Sequence, residues 1–169
     1  PFVSLNNVGP NSPVIPLCQD AQRMSFMLQY GLASGVDVVK WADAQIIALD
    51  SPPGSLIDLS MTPTGQTADL LSHLRALASG ADIWAAFREV LGPLHDYVGS
   101  KPSQAEDVAC ELLRTAAWID PEGMPEDLHF LYHFDDAFFL AKDGSFGRPE
   151  DVVRDFLTEL ARFRKEVQP

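Results

Sequence analysis

Apolar residues recur at intervals of three and four positions almost without interruption between residues 20 and 163. This spacing places them on one face of an α-helix, and no stretch shows the alternation of a half-buried strand. The period is clearest in three stripes: Met24, Met27, Leu28 and Leu32; Leu70, Leu71, Leu74 and Leu77; and Val152, Val153, Phe156, Leu157 and Leu160. The sequence therefore predicts an all-α fold of about seven or eight antiparallel helices, as a bundle or as a short helical-pair solenoid.

The first residues of the chain do not follow this helical period. Pro1, Pro10, Pro13 and Pro16 fall within the first 17 positions, and prolines at this density exclude a helix and favour extended backbone. We therefore predict an extended N-terminal arm over residues 1–17, followed by a single helical domain over residues 18–169.

Three helix starts carry the signature of a side-chain cap. In each, a serine is followed three positions later by an acid: Ser34 by Asp37, Ser79 by Asp82, and Ser103 by Glu106. The hydroxyl can accept from a free backbone N–H, and the acid lies near the positive end of the helix. Each serine is therefore predicted to cap a helix.

Segments 32–37 and 77–82 are similar in sequence and lie 45 positions apart. The first is Leu-Ala-Ser-Gly-Val-Asp and the second is Leu-Ala-Ser-Gly-Ala-Asp. The offset has the scale of a helical-pair repeat. Two similar turns built from the same capping chemistry would give the same pattern. Both interpretations remain open at the level of sequence.

The overall charge limits the partners of this chain. Its 24 acidic and 12 basic residues give a net charge of −12, which repels nucleic acid and anionic membranes and attracts basic partners. No apolar run reaches the roughly 18 residues of a membrane span. Cys18 and Cys110 form neither a disulfide framework nor a C-x-x-C pair, so we expect free thiols in a reducing cytoplasm.

Acidic residues are concentrated between residues 106 and 151, where twelve acids accompany three bases. Six of the acids open predicted helices, where negative charge is expected: Glu106, Asp107, Glu126, Asp127, Glu150 and Asp151. An alternative to a binding surface is that acids at helix ends simply collect at one edge of an antiparallel array of helices. The acids that helix starts explain least are the predicted partner-binding residues: Asp120, Glu122, Asp135, Asp136 and Asp143.

His129 and His133 are the strongest metal-ligand pair in the sequence. They are four residues apart and so share a helix face, with Glu126 one turn earlier. The H-E-x-x-H order is absent, however, and the aromatic segment 124–141 is more typical of a core helix with one polar edge. No nucleophile–base pair or phosphate loop is visible. We expect neither a metal nor another cofactor.

One part of the chain resembles a known kind of protein. Trp41-Ala42-Asp43, the turn Asp50-Ser51-Pro52-Pro53 and the helix Leu56-Ile57-Asp58-Leu59-Ser60 are similar to a family of uncharacterised bacterial helical proteins, which look like immunity partners of bacterial toxins. The resemblance covers about a quarter of the chain and carries no catalytic residue. It implies a rigid surface that covers or blocks a toxin.

The leading hypothesis is therefore an immunity protein that neutralises a cognate toxin by stoichiometric binding and is not an enzyme. An acidic face would meet a basic toxin surface, and aromatic residues would supply anchors, with five candidates in the sequence: Trp41, Trp84, Tyr97, Trp118 and Phe146. The alternative is a helical adaptor that binds another protein or peptide. A third hypothesis is a metal-dependent enzyme that uses His129 and His133.

Overall fold

The structure, a computed structural model, describes residues 16–120, 123–145 and 147–164. These residues form eight α-helices: α1 (Leu17–Gln29), α2 (Gly35–Ala48), α3 (Gly54–Met61), α4 (Thr67–Leu77), α5 (Ile83–Ser100), α6 (Ala105–Ile119), α7 (Phe130–Asp143) and α8 (Pro149–Ala161). Short 3₁₀ turns cover Pro102–Gln104 and Glu126–Leu128, and no strand occurs among the described residues. The all-α prediction is confirmed. Most of the predicted arm, residues 1–15, lies outside the described residues, and Leu17 already belongs to α1.

The helices enclose two apolar clusters that share α1. Helices α1–α4 surround the first cluster, and α5–α8 surround the second. Met24 of α1 belongs to the first and Phe26 to the second, while Met27 packs against both. In each group the first helix contacts the fourth, α1 against α4 and α5 against α8. This closure is typical of a bundle, because a solenoid would keep only contacts between successive repeats.

The residues that carry the family resemblance pack the first cluster. Trp41 is buried, and its indole Nε1–H donates to Asp20 Oδ2 of α1 at 2.6 Å. The Ser60 hydroxyl donates to the carboxylate of Asp43, which ties α3 to α2. Leu59 is fully buried between them. The signature is therefore one of packing between α1, α2 and α3.

The predicted caps are correct at one helix start of three. Ser34 and Asp37 form a reciprocal capping box at the start of α2. At α5 the cap is Asp82, whose carboxylate accepts from the N–H of Ala85 at 2.9 Å, so the prediction for Ser79 is wrong. Gly80 explains the shift, because its φ of +83° reverses the chain after α4 and delays the next helix. Ser103 lies within a 3₁₀ turn, and α6 has no side-chain cap.

The two similar segments also lead into different places in the fold. Segment 32–37 enters α2, the second helix of the first group, whereas segment 77–82 enters α5, the first helix of the second group. Their caps differ as well, since Ser34 serves one and Asp82 the other. The arrangement favours two similar turns over a structural repeat.

The predicted helical segment 124–141 is divided. A 3₁₀ turn follows Pro125, and the α-helix begins only at Phe130 and continues to Asp143. Arg88 of α5 holds this 3₁₀ turn through two hydrogen bonds to the Asp127 carboxylate, at 2.7 and 2.9 Å. The contact fixes where the chain enters α7, the helix that carries the candidate site.

Candidate functional site

Helix α7 carries apolar residues on two opposite faces. Its inner face is buried and consists of four residues: Leu131, Phe134, Phe138 and Ala141. Their steps of three, four and three positions keep them on one side of the helix. The ring of Phe134 lies 5.1 Å from that of Phe156 in α8, measured between centroids. This face explains why α7 belongs to the second core.

The opposite face of α7 is exposed and combines large apolar side chains with carboxylates. We call it the outer α7 stripe and define it by five residues: Tyr132, Asp136, Phe139, Leu140 and Asp143. Tyr132 is 46% exposed and Phe139 is 69% exposed. With a rise of 1.5 Å per residue, the stripe extends about 16 Å along the helix. Large apolar side chains exposed along one helix face make that face a candidate interaction surface.

Helices α6 and α8 flank the outer α7 stripe. On the α6 side, the Cys110 thiol donates to Asp135 Oδ1 at 3.5 Å, and Lys142 Nζ lies 3.3 Å from Glu106. The order of these two pairs makes α6 and α7 antiparallel. On the α8 side, His133 lines a shallow depression with Asp155, Thr158 and Glu159, among others. The stripe is therefore bordered by further carboxylates on both sides.

The structure brings together three of the five predicted partner-binding acids. Asp135 and Asp136 are exposed on α7, and Asp143 ends the same helix, where its carboxylate accepts from the Ser145 hydroxyl. Asp120 lies beyond the end of α6, and its carboxylate accepts from the backbone N–H of Gly123 at 2.9 Å. Glu122 lies outside the described residues. Asp120 thus supports a turn, and the other three share one helix.

The remaining acids of segment 106–151 have structural partners or the expected helix-start positions. Glu106 and Asp107 lie in the first turn of α6, and Glu150 and Asp151 lie in the first turn of α8. The guanidinium of Arg88 lowers the pKa of Asp127. The predicted helix starts therefore account for four of the six acids, whereas Glu126 and Asp127 lie in the 3₁₀ turn before α7, so that part of the prediction is wrong. The α7 acids stand apart from this group.

Only one predicted aromatic anchor is strongly exposed among the four that the structure describes. Trp118 of α6 is 75% exposed, whereas Trp41 is buried, Trp84 packs edge-on against a core ring, and Tyr97 lies beneath the Lys101 ammonium at 4.7 Å. Phe146 lies outside the described residues. The apolar spacing of segment 124–141 favours a core helix and does not single out Tyr132 or Phe139 as anchors. The signal was present: these rings do not fit the face that Phe134 and Phe138 define.

The two histidines do not converge on a metal site. The Nε2–H of His129 donates to the Met124 carbonyl at 3.0 Å, and the His133 ring meets Phe134 edge-on. Within the described ranges, no three His, Cys, Asp or Glu side chains cluster as metal ligands would. Burial and Asp135 raise the pKa of the Cys110 thiol, which disfavours the reactive thiolate. Among the described residues, His129 and His133 therefore have no third side chain with which to hold a metal ion.

A second exposed apolar surface lies on α2, α3 and the turn between them. Ile47 is 86% exposed and Met61 is 78% exposed, and three less exposed residues accompany them: Val36, Leu49 and Ile57. These side chains are aliphatic or thioether, without an aromatic ring.

Two further observations concern the chain as a whole. Among the described helices, none has the length and apolar character needed to cross a bilayer. Comparisons with protein-family models, with curated proteins and with solved structures find no match to this chain.

Proposed function

We propose that this chain is an immunity protein, which neutralises a cognate bacterial toxin by forming a stoichiometric complex through the outer α7 stripe. The observation that carries the proposal is the pairing of exposed rings with carboxylates on a helix that is already anchored to the core by its other face. Aromatic residues are enriched at protein interfaces, and tyrosine is among the residues that most often dominate the binding energy. The resemblance of residues 41–60 to immunity proteins supports the same class.

A protein of this kind acts by occupying a surface, so it needs rigidity rather than catalytic groups. Both faces of α7 contribute, because the buried rings of Phe134 and Phe138 hold the helix while Tyr132 and Phe139 face outward. A helix backbone that is already held by core packing loses little further freedom on binding, which favours affinity. In this proposal the complex forms in the cytoplasm.

The acids provide the second component of recognition. A net charge of −12 attracts a basic partner at long range, and Asp135, Asp136 and Asp143 concentrate negative charge beside the exposed rings. Steering of this type mainly raises the association rate. The rings of Tyr132 and Phe139, once they are buried in the complex, slow its dissociation. The proposed partner is therefore a toxin with a basic surface and an apolar site for the rings.

The proposal predicts that a toxin is encoded next to this chain. The test is co-expression with the product of that adjacent gene, read out as bacterial growth and as a one-to-one complex in size-exclusion chromatography with light scattering. The wild-type chain should restore growth. Phe139→Ala should weaken neutralisation, and Met61→Ala, which removes a similarly exposed apolar side chain from the other surface, should not.

Three results would contradict the proposal. Growth that stays inhibited despite a stable complex would favour the adaptor, because an adaptor binds without neutralising. Failure to form any complex would exclude immunity against that toxin. Loss of neutralisation in Met61→Ala alone would assign the interface to α2 and α3 instead.

A further inference from the structure

The residues of the outer α7 stripe are spaced as residues are along the seam between two packed helices. From Tyr132, the steps to Asp136, Phe139 and Asp143 are four, three and four positions. Steps of three and four are those by which side chains of one helix insert between side chains of a facing helix. The buried face of α7 uses the same steps within the core. The exposed face therefore has the geometry for one more helix.

The chemistry of the stripe alternates along its length. Rings at Tyr132 and Phe139 are separated by the carboxylates of Asp136 and Asp143, so each successive turn changes from apolar to negative. Asp135 adds negative charge on the α6 side, whereas Asp155 and Glu159 on the α8 side already pair with Arg154 and Arg162. Lys142, the base within α7, already pairs with Glu106. A partner therefore meets uncompensated negative charge between the rings.

We infer that the outer α7 stripe binds an amphipathic helix of its partner, in which Lys or Arg residues alternate with aliphatic residues at steps of three and four. This inference rests on the proposed function and deepens it, since it names the element of the toxin that is bound. The aliphatic side chains pack on Tyr132 and Phe139, and the basic side chains pair with Asp136 and Asp143. One helix thus satisfies both components of the stripe.

The structure disfavours two other kinds of occupant. A purely apolar helix would cover Asp136 and Asp143 without a counter-charge, and a buried unpaired carboxylate is strongly destabilising. An extended strand is recognised chiefly through the free backbone groups of a sheet edge. Helix α7 uses its backbone groups within the helix and offers no such edge.

The test uses synthetic peptides, so it does not depend on the toxin. The probe is a helical peptide three heptads long, with Lys and Leu alternating at steps of three and four on one face and Ala and Gln elsewhere. A scrambled peptide of the same composition removes the spacing but keeps the charge. Binding is measured by fluorescence anisotropy, and the contact surface is mapped by NMR shifts of the backbone amides of the full chain.

Two double variants distinguish peptide binding at the outer α7 stripe from general electrostatic attraction between a basic peptide and an acidic protein. Asp136→Lys with Asp143→Lys reverses the charge of the stripe, whereas Asp50→Lys with Asp58→Lys makes the same net change at exposed carboxylates near α3. We expect the stripe variant and Phe139→Ala to weaken binding of the spaced peptide about tenfold, and the control variant by less than about threefold. Circular dichroism confirms that each variant is folded.

Equal weakening in both double variants, equal binding of the scrambled peptide, or amide shifts centred on α2 and α3 would each overturn the inference. So would the absence of binding by the spaced peptide. In those cases a toxin complex that still depends on Phe139 would leave the proposed function in place. Conversely, peptide binding without a neutralising complex would exclude the immunity function while keeping the helix-binding surface.

Discussion

At the scale of residues, single polar side chains connect helices that are distant from one another along the chain. Asp20 accepts from the Trp41 indole and from Arg23, and Arg23 also lies 3.7 Å from Glu89 of α5. The sequence could predict that Trp41 lies on an apolar helix face. It could not reveal Asp20 as the partner, because a contact across 21 positions leaves no trace in local spacing.

The Tyr30 hydroxyl leads to the first prediction. It is enclosed beside Thr115 but makes no hydrogen bond of good geometry among the described residues, and burial raises its pKa well above the usual range. Removing a buried hydroxyl that lacks a good partner costs little, so Tyr30→Phe should leave the free energy of unfolding unchanged or raise it by about 1 kcal/mol. Urea denaturation measures this.

Thr115→Val is the matched control, because the Thr115 hydroxyl accepts from Gln29 Nε2 at 3.0 Å. That variant should lose about 1 kcal/mol. A loss of more than about 1 kcal/mol in Tyr30→Phe would mean that the tyrosine hydroxyl has a strong partner after all.

The second prediction concerns acid. Arg88 lowers the pKa of Asp127, so the folded state binds this proton less readily than the unfolded state does. The resulting stabilisation is fully present above about pH 4, the usual pKa of Asp, and is lost as the pH falls through the lower pKa of the folded state. Both side chains are about one-third exposed, so Arg88→Gln should cost at most about 1 kcal/mol at pH 7.

Urea unfolding of wild type and Arg88→Gln, at about pH 7 and about pH 2.5, tests this linkage. The difference between the two proteins should be smaller at the lower pH, because protonation of Asp127 removes the charge that Arg88 stabilises. A difference of equal size at both values would show that Arg88 stabilises the protein through packing and not through its charge.

At the scale of elements, apolar spacing predicted which segments are helical, and it was less informative about where each begins. The pattern Ser-x-x-acid fitted three starts, but only Ser34 caps a helix. The backbone at Gly80 decides the α5 start, and a 3₁₀ turn replaces a cap before α6. These are properties of the connection, and a four-residue pattern does not contain them.

The third prediction follows from this difference between serines. Ser34→Ala removes a side-chain cap and should lower the free energy of unfolding by about 1 kcal/mol. Ser79→Ala and Ser103→Ala remove serines that cap nothing in this structure, and each should change it by less than about 0.5 kcal/mol. Thermal and urea denaturation of the three variants provide the comparison; similar losses in all three would contradict the assigned caps.

Helix α7 shows why the site was only partly predictable. Spacing alone finds an apolar face but does not decide between two of them within the same 14 residues. Packing against α6 and α8 selects Phe134 and Phe138 for the core and leaves Tyr132 and Phe139 outside. The acids were predicted because charge is visible in the sequence, whereas the exposure of the rings depends on the tertiary contacts of the helix.

At the scale of the whole molecule, the fold class followed from the sequence, but the pairing of helices did not. Contacts of α1 with α4 and α5, and of α5 with α8, close the two groups, and they join segments about 50 to 65 positions apart. The same packing places α7 at the surface between α6 and α8. The net charge of −12 then acts on any partner that approaches this side.

The most direct test of the central claim is the association rate of the toxin complex at two ionic strengths. The proteins compared are wild type, Asp135→Lys with Asp136→Lys, and the control Asp50→Lys with Asp58→Lys, each verified as folded by circular dichroism. The α7 variant should associate about tenfold more slowly at about 0.01 M salt, and the deficit should shrink at about 0.1 M, where screening is stronger. The control should stay close to wild type. A folded α7 variant that associates at the wild-type rate at low salt would place Asp135 and Asp136 outside the interface and contradict the account.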